Sequence, residues 1–279
     1  MNTSWFLFAE LLPLKKLQVI LIGALSAIGL SLLAPVTAAS QTSAQRDQEA
    51  LTILGKTIAA GEGQEMLASV QDITETGTIT YNYATEVTGT VIVKSRGLHQ
   101  LRIDADLPEG KRSTVVSGGG GSLKEADGRN WPIYRQSAND LGSLTLPYLP
   151  LIAAMQDSTI SIVYGGLVTH NDASVYDIRL QKIYTRQQDP SGNRGASEVR
   201  DFYIEPETFR IATISDEIHY KGPSGEGVPH EILYSNYKSQ NGISLPLRVE
   251  VTIRGMTECT ITLNQVTYNS GLGNTDFAW

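Results

Sequence analysis

The feature that most constrains this chain is a long series of short segments in which apolar and polar residues alternate. The clearest is ISLPLRVEVTIRG at 243–255, where the apolar residues at 245, 247, 249, 251 and 253 point one way and the polar ones between them the other. An alternation with a period of two is typical of a β-strand with one buried and one wet face. Similar segments, separated by turn residues, recur from 76 to 269. The pattern predicts a mainly β fold, an antiparallel sheet of about ten strands in one domain.

Two segments break the alternation with helical spacing. Leu51, Leu54 and Ile58 fall on one helical face, which predicts an N-terminal helix from about 44 to 60, ended by a glycine-rich stretch. A second apolar segment, NDLGSLTLPYLPLIAAMQDS at 139–158, carries prolines where a helix tolerates them, at its start. It predicts a short helix over 150–156 that follows a proline-kinked apolar loop.

The first 39 residues have the composition of an export signal. Two lysines, Lys15 and Lys16, precede the apolar run LQVILIGALSAIGLSLL at 17–33, and small residues follow near Ala38. This order predicts a signal peptide over 1–39 and a folded domain over 40–279. The mature protein is then periplasmic or otherwise extracytoplasmic. Because the apolar run is long for a signal, an uncleaved membrane anchor is the alternative.

Charge and cysteine content argue against several classes of function. The net charge is −7 and no run of lysine or arginine stands out, so a nucleic acid is not the expected partner. The chain has one cysteine, Cys259, which has no partner for a disulfide or for a cysteine-based zinc site. In a sheet, a lone cysteine is typically a small buried residue.

Motifs of catalysis or metal binding are also missing from the sequence. The four histidines do not form a metal-binding motif, and GPSGEG at 222–227 lacks the spacing of a nucleophile elbow. We therefore predict no catalytic residues, no metal and no cofactor, and a protein that is not an enzyme. A hydrolase or metalloenzyme stays open as a lesser alternative, which would need His219, His230 and Asp216 to meet in the fold.

Several segments together resemble the periplasmic lipoprotein carriers of the LolA type and related mycobacterial lipid-transfer lipoproteins. GTVIVKSRGLHQLRIDADLP at 89–108 is similar to a characteristic hairpin of that family. FYIEPETFRIATI at 202–214 resembles its strand–turn–strand unit, and LNQVTYNSGLGNTDF at 263–277 resembles its final strand and tail. The family's Lys-Arg-Pro hairpin, whose arginine holds the lid closed, reads Lys94-Ser95-Arg96 here. A one-residue shift along a strand turns a side chain to the other face, so this latch is in question.

The resemblance implies a curved, incomplete antiparallel β-barrel whose concave face holds acyl chains under a helical lid. It implies an exported, non-catalytic binding protein for a lipid, a lipoprotein acyl chain or another hydrophobic ligand, with a membrane or envelope protein as a further partner. The residues expected to line the cavity lie on the apolar faces of the strands: Ile79, Tyr81, Val91, Val93, Leu101, Ile103, Leu247, Val249 and Val251. The expected lid residues are Leu149, Ile152 and Met155.

The same apolar faces are equally those of a packed core. A sheet with a filled interior predicts an envelope scaffold or interaction protein without a ligand. The sequence leaves the choice between a cavity and a filled core open.

Overall fold

The structure, a computed structural model, describes residues 43–82, 85–133, 141–219 and 225–278. The predicted signal peptide lies outside these residues. The helices are α1 Gln48–Ala60, α2 Gln64–Ala68, α3 Leu149–Gln156 and α4 Asn193–Ala196, with 3-10 turns at Leu141–Ser143 and Asn274–Phe277. The strands are β1 Ile73–Asn82, β2 Glu86–Arg96, β3 Gln100–Leu107, β4 Gly110–Ser117, β5 Gly120–Lys124, β6 Asn130–Ile133, β7 Ile160–His170, β8 Ala173–Lys182, β9 Val199–Ile204, β10 Ile211–Ile218, β11 Val228–Gln240, β12 Ile243–Ile253 and β13 Met256–Tyr268.

The thirteen strands of the described residues form one antiparallel sheet in the order β6-β5-β4-β3-β2-β1-β13-β12-β11-β10-β9-β8-β7. The two end strands, β6 and β7, do not pair with each other, so the barrel is incomplete. Val116 of β4, two strands from one end, and Ile162 of the end strand β7 belong to the same hydrophobic cluster, which requires the sheet to curve. The predicted fold class, a curved and incomplete antiparallel barrel with a few helices, is confirmed.

The strand count exceeds the predicted ten because some strands are short and polar. The glycine run at 118–121 is a hairpin: Gly118 and Gly119 adopt positive φ angles, and β5 begins at the third glycine. β6 has only four residues, three of them exposed, so no apolar alternation marks it in the sequence. Short edge strands of this kind carry little of the apolar signal by which strands are predicted.

Helix α1 packs in the concave face of the sheet, where it contacts β7 and α3. Leu54 and Ile58 are buried as predicted, whereas Leu51 is only half-buried. The buried face also includes Ala50, Ile53 and Thr57, so it is centred beside the predicted stripe. The small residues Ala50 and Thr57 are inconspicuous in a hydrophobicity pattern, which explains the shift.

The segment that precedes α1 covers part of the edge strand β7. Arg46 forms a parallel bridge with Ile162, and the Asp47 amide donates to the Ile162 carbonyl at 2.9 Å. The Ile162 amide donates in turn to the carbonyl of Gln45 at 2.7 Å. An uncovered edge strand invites pairing with other chains, so this short contact protects the described end of the sheet.

Asp72, just before β1, holds the segment that follows β13. Its carboxylate accepts from the Ser270 amide at 2.7 Å, the Ser270 hydroxyl at 2.8 Å, the Gly271 amide at 3.1 Å and the Leu272 amide at 3.2 Å. Burial raises the pKa of Asp72, but the hydrogen bonds from Ser270, Gly271 and Leu272 outweigh it and leave the pKa lowered. The ionised carboxylate therefore ties the end of the chain to its first strand.

We expect Asp72→Ala to lower the free energy of unfolding by about 2 kcal/mol, because three backbone amides and a hydroxyl in partly buried hydrogen bonds lose their acceptor. Urea denaturation at neutral pH measures the loss. Asp106→Ala, which removes an exposed carboxylate from β3, is the matched control and should change stability by less than about 0.5 kcal/mol. Equal effects of the two substitutions would contradict the role given to Asp72.

Candidate functional site: the concave face and its lid

The predicted lining residues lie together on the concave face of neighbouring strands. The strand register places Val93 opposite Ile103, and Val249 opposite Ile261, which is itself opposite Ile79. Seven of the nine are buried, and Ile103 and Val251 are half-buried against the same core. The alternation in the sequence thus identified one continuous apolar surface. Its role in holding a ligand stays a prediction.

The predicted lid residues lie on α3, which starts at Leu149, one residue earlier than predicted. Ile152 is buried, and Leu149 and Met155 are half-buried against the core of the concave face. We call residues 141–156 the lid segment. It comprises the 3-10 turn, the buried run 143–148 and α3.

Two glycines let the lid segment approach the rest of the chain closely. The Gly142 amide donates to the Leu98 carbonyl at 3.0 Å, and a Cβ at Gly142 would lie 2.7 Å from the Gly97 carbonyl oxygen. At the end of α1, a Cβ on Gly61 would lie 3.0 Å from the ring of Tyr148. Larger residues at either position would push the lid segment away from its neighbours.

Arg46 holds the far end of the lid segment. Its guanidinium donates to the carbonyls of Ala154 at 3.2 Å, Met155 at 3.0 Å, Asp157 at 3.1 Å and Ile160 at 3.3 Å. These carbonyls lie at or just beyond the C-terminus of α3, where the helix leaves its acceptors unsatisfied and where the macrodipole favours a cation. The contact fixes α3 over the sheet.

Arg96, the arginine of the hairpin at 89–108, does not hold the lid segment. Ser95 is buried on the inner face of β2, in line with Val91 and Val93. Arg96 points to the other face, where it donates to the Leu272 carbonyl at 2.9 Å. The role of Arg46 was not predicted from the sequence. An isolated arginine ahead of a helix gives no sign that it will reach carbonyls more than a hundred positions away.

The interior beneath the lid segment is filled with side chains. Val93, Val249 and Leu151 are 0% exposed, so no space large enough for water adjoins them. A groove of about 240 Å³ lies instead on the opposite face of the sheet, between Tyr203 and Arg248. The closed structure therefore has no open chamber next to these side chains, and a ligand would have to move the lid segment away from the sheet.

Several buried polar atoms of this interior nevertheless lack a hydrogen-bond partner. Five side chains on its walls have buried oxygen atoms without a hydrogen-bond partner: Glu75, Thr145, Tyr148, Tyr234 and the half-buried Tyr268. Two of them belong to the lid segment and three to the sheet. The hydroxyls of Thr145 and Ser244 lie near enough to lower the pKa of Glu75 and of Tyr148 respectively, but neither pair has normal hydrogen-bond geometry. Burial dominates in both cases.

Glu75 was missed in the sequence although its position is visible there. In ITETGTITY it occupies the register of the apolar residues Ile73, Ile79 and Tyr81. It is 0% exposed, and burial raises the pKa of its carboxyl to about 7. A glutamate at an inward position of a strand is the signal that could have identified it.

A second polar group lies at the opposite end of the interior. His230 Nδ1 is 2.6 Å from Asp216 Oδ1, and Arg200 Nε is 3.4 Å from the other carboxylate oxygen. Burial raises the pKa of Asp216, but His230 and Arg200 outweigh it and leave the pKa lowered.

His219 does not join His230 and Asp216. It lies 3.5 Å from Glu217 and 3.1 Å from the Gly225 carbonyl, so the three residues needed for the hydrolase or metalloenzyme alternative do not converge.

Two further properties concern the described part of the chain. Within it, no group of three or more histidine, cysteine, aspartate or glutamate side chains is arranged to hold a metal ion. None of its helices combines the length and the apolar character that a membrane crossing requires.

No protein-family model matches the chain, and no curated protein matches it. Solved structures do. A LolA superfamily protein from Nitrosomonas europaea is 13% identical, with 82% of this chain and 97% of that one covered at a TM-score of 0.48. A DUF1329 family protein from Desulfovibrio piger is 9% identical, with 82% and 97% covered at a TM-score of 0.49. The lipoprotein LppX of Mycobacterium tuberculosis is 11% identical, with 82% and 99% covered at a TM-score of 0.25.

The chain is thus distantly similar in structure to LolA-like proteins, in agreement with the resemblance of its sequence. This similarity concerns the fold alone. The functional proposal therefore depends on the residues of this chain.

Proposed function

We propose that this protein is an exported, non-catalytic binding protein for a hydrophobic ligand of the cell envelope, either a lipid or the acyl chain of a lipoprotein. The binding site is the concave face of the incomplete barrel, and residues 141–156 form its lid. A membrane or envelope protein delivers or receives the ligand. The sequence resemblance agrees with this function.

The observation that carries the proposal is the set of unpartnered polar atoms in the covered interior. Buried polar side-chain atoms are nearly always hydrogen-bonded, and each exception requires an explanation. Here a carboxylate and four hydroxyls, divided between the lid segment and the sheet, lie unpaired in one apolar interior. A core built only for stability gains nothing from them. A ligand that enters between the sheet and the lid segment supplies partners for these atoms with the polar group that carries its acyl chain.

Binding a hydrophobic ligand requires no reactive group. Each methylene that a ligand buries on the concave face contributes roughly 0.8 kcal/mol. The lid segment now covers that face with its own apolar side chains, so an acyl chain replaces one apolar contact by another. The lid is held by polar contacts near its two ends, at Gly142 and at Arg46. The cost of opening is therefore mainly the loss of these contacts.

Two measurements test the proposal. Lipid extraction and mass spectrometry of protein purified from a membrane-bearing host should yield a bound lipid in defined proportion to protein. The stripped protein should bind Nile red, a neutral apolar dye, with saturation, and Arg46→Ala should bind it faster because the lid opens more readily. Arg129→Ala, which removes an arginine that is 64% exposed, is the control and should behave as the wild type. No bound lipid together with no saturable dye binding would contradict the proposal.

The full burial of the interior favours a second candidate function, an envelope scaffold with a permanently filled core. A scaffold of this kind would bind neither lipid nor Nile red, and Arg46→Ala would lower its stability without any gain in dye binding. The same experiment therefore separates the two functions.

A further inference from the structure

Glu75 occupies a position where the fold favours an apolar residue. It lies on the inner face of β1, and the strand register places it between Val93 of β2 and Val266 of β13. Its side chain is completely buried. An isolated carboxylate in such a place loses its hydration and destabilises the fold unless it is neutralised or paired. The chain therefore carries a costly group in the wall of its interior, where a valine would pack without penalty.

The surroundings of Glu75 offer hydrogen-bonding groups but no countercharge. Neither carboxylate oxygen has a hydrogen-bond partner, and the hydroxyls of Thr145 and Tyr268 are unpartnered as well. Among the described residues, no basic side chain forms an ion pair with Glu75. Burial, and after it the charge of Glu75, raise the pKa of Tyr268 on β13, so these two side chains interact. Thr145 comes from the lid segment, so the group spans the contact between sheet and lid.

The position suits the end of a long ligand. From Glu75, the inner face of β1 continues through Gly77 to Ile79 and Tyr81, with the apolar faces of β2 and β13 on either side. An apolar chain laid along these strands places one end at Glu75. That end would meet one acidic group and two hydroxyls.

We propose that Glu75, Thr145 and Tyr268 form the head-group site of the ligand, and that this site takes an amphiphile with a primary amine head. The inference rests on the proposed function, because it places the head of the same ligand. An ammonium group supplies three donors and the missing countercharge. A carboxylate head would face a like charge whenever Glu75 is ionised, and an alcohol head would supply one donor and no charge.

The test is displacement of Nile red from the stripped protein by hexadecylamine, hexadecanoic acid and hexadecanol at about pH 8. At this pH the carboxyl of Glu75, whose pKa burial raises to about 7, is largely ionised. We expect the amine to displace the dye at about tenfold lower concentration than the acid, the factor that a charge-assisted hydrogen bond of about 1.4 kcal/mol provides. The Glu75→Gln variant should lose this preference. Glu86→Gln, which neutralises an exposed glutamate on the adjacent strand, should keep it.

The Tyr268→Phe variant gives a second measurement that leaves the charge of Glu75 in place. It should weaken the amine preference partially. If Nile red does not bind, or if none of the amphiphiles displaces it, the proposed function fails and the head-group site with it. If the amphiphiles displace the dye but the amine has no advantage over the acid, or keeps its advantage in Glu75→Gln, the head-group site is wrong while the proposed function stands.

Discussion

Replacing Arg46 by alanine is expected to lower the free energy of unfolding by about 2–4 kcal/mol, a large loss for the removal of one polar side chain. The guanidinium donates to four carbonyls at the end of α3, and the partly buried acceptors would be left without it. The charge also interacts favourably with the C-terminus of the helix. Urea denaturation measures the loss.

Arg46→Lys should recover part of the stability, because an ammonium keeps the charge but cannot span four carbonyls with a planar fork. Limited proteolysis gives a local readout: cleavage within 141–156 should accelerate in Arg46→Ala before the sheet unfolds. The exposed pair Arg129–Asp127 provides the control, and Arg129→Ala should cost less than about 1 kcal/mol. A loss in Arg46→Ala no larger than in this control would refute the role of Arg46 in holding the lid.

The second large effect is a pH dependence of stability that comes from Glu75. Burial raises the pKa of its carboxyl from 4.5 to about 7 in the folded protein. Between these two values the unfolded chain has lost the proton that the folded chain still holds, so stability falls as the pH rises. The total loss is about 3 kcal/mol, present in full above about pH 7 and absent below about pH 4.5.

The Glu75→Gln variant has no such titration. Its free energy of unfolding, relative to that of the wild type, should therefore rise by about 3 kcal/mol from pH 4 to pH 8. Contributions such as that of Asp72, whose lowered pKa makes stability fall in acid, are common to both proteins and cancel in the difference. Glu86→Gln, which removes an exposed glutamate from the adjacent strand, is the matched control. A flat difference for Glu75→Gln would mean that the folded protein holds this carboxyl ionised with a partner.

The periodicity of the sequence was sufficient to predict the sheet, because a side-chain alternation of two is a local property. Ile79, Val93 and Val249 fall on the concave face as their alternation predicts, and Leu149, Ile152 and Met155 lie on the helix that covers it. Edge strands were missed because they bury little: β6 has only four residues, too few for an alternation to stand out.

The candidate site was predicted only in its apolar part. The inward position of Glu75 is implied by the alternation of ITETGTITY, yet a polar residue at an apolar position is overlooked when only apolar residues are counted. Arg46 had no signal of any kind. Its partners at 154–160 come into reach through the bridge between Arg46 and Ile162, a contact between distant parts of the chain.

The sequence by itself determined the longer strands, the two principal helices and which side of each of those strands is apolar, since these follow from local spacing and turn residues. Only the tertiary structure decided what those apolar sides enclose. The curvature of the sheet and the path of the lid segment fill the interior in the closed form and bring Thr145 towards Glu75. Such contacts depend on how distant segments pack, and packing is not a property of any local stretch of residues.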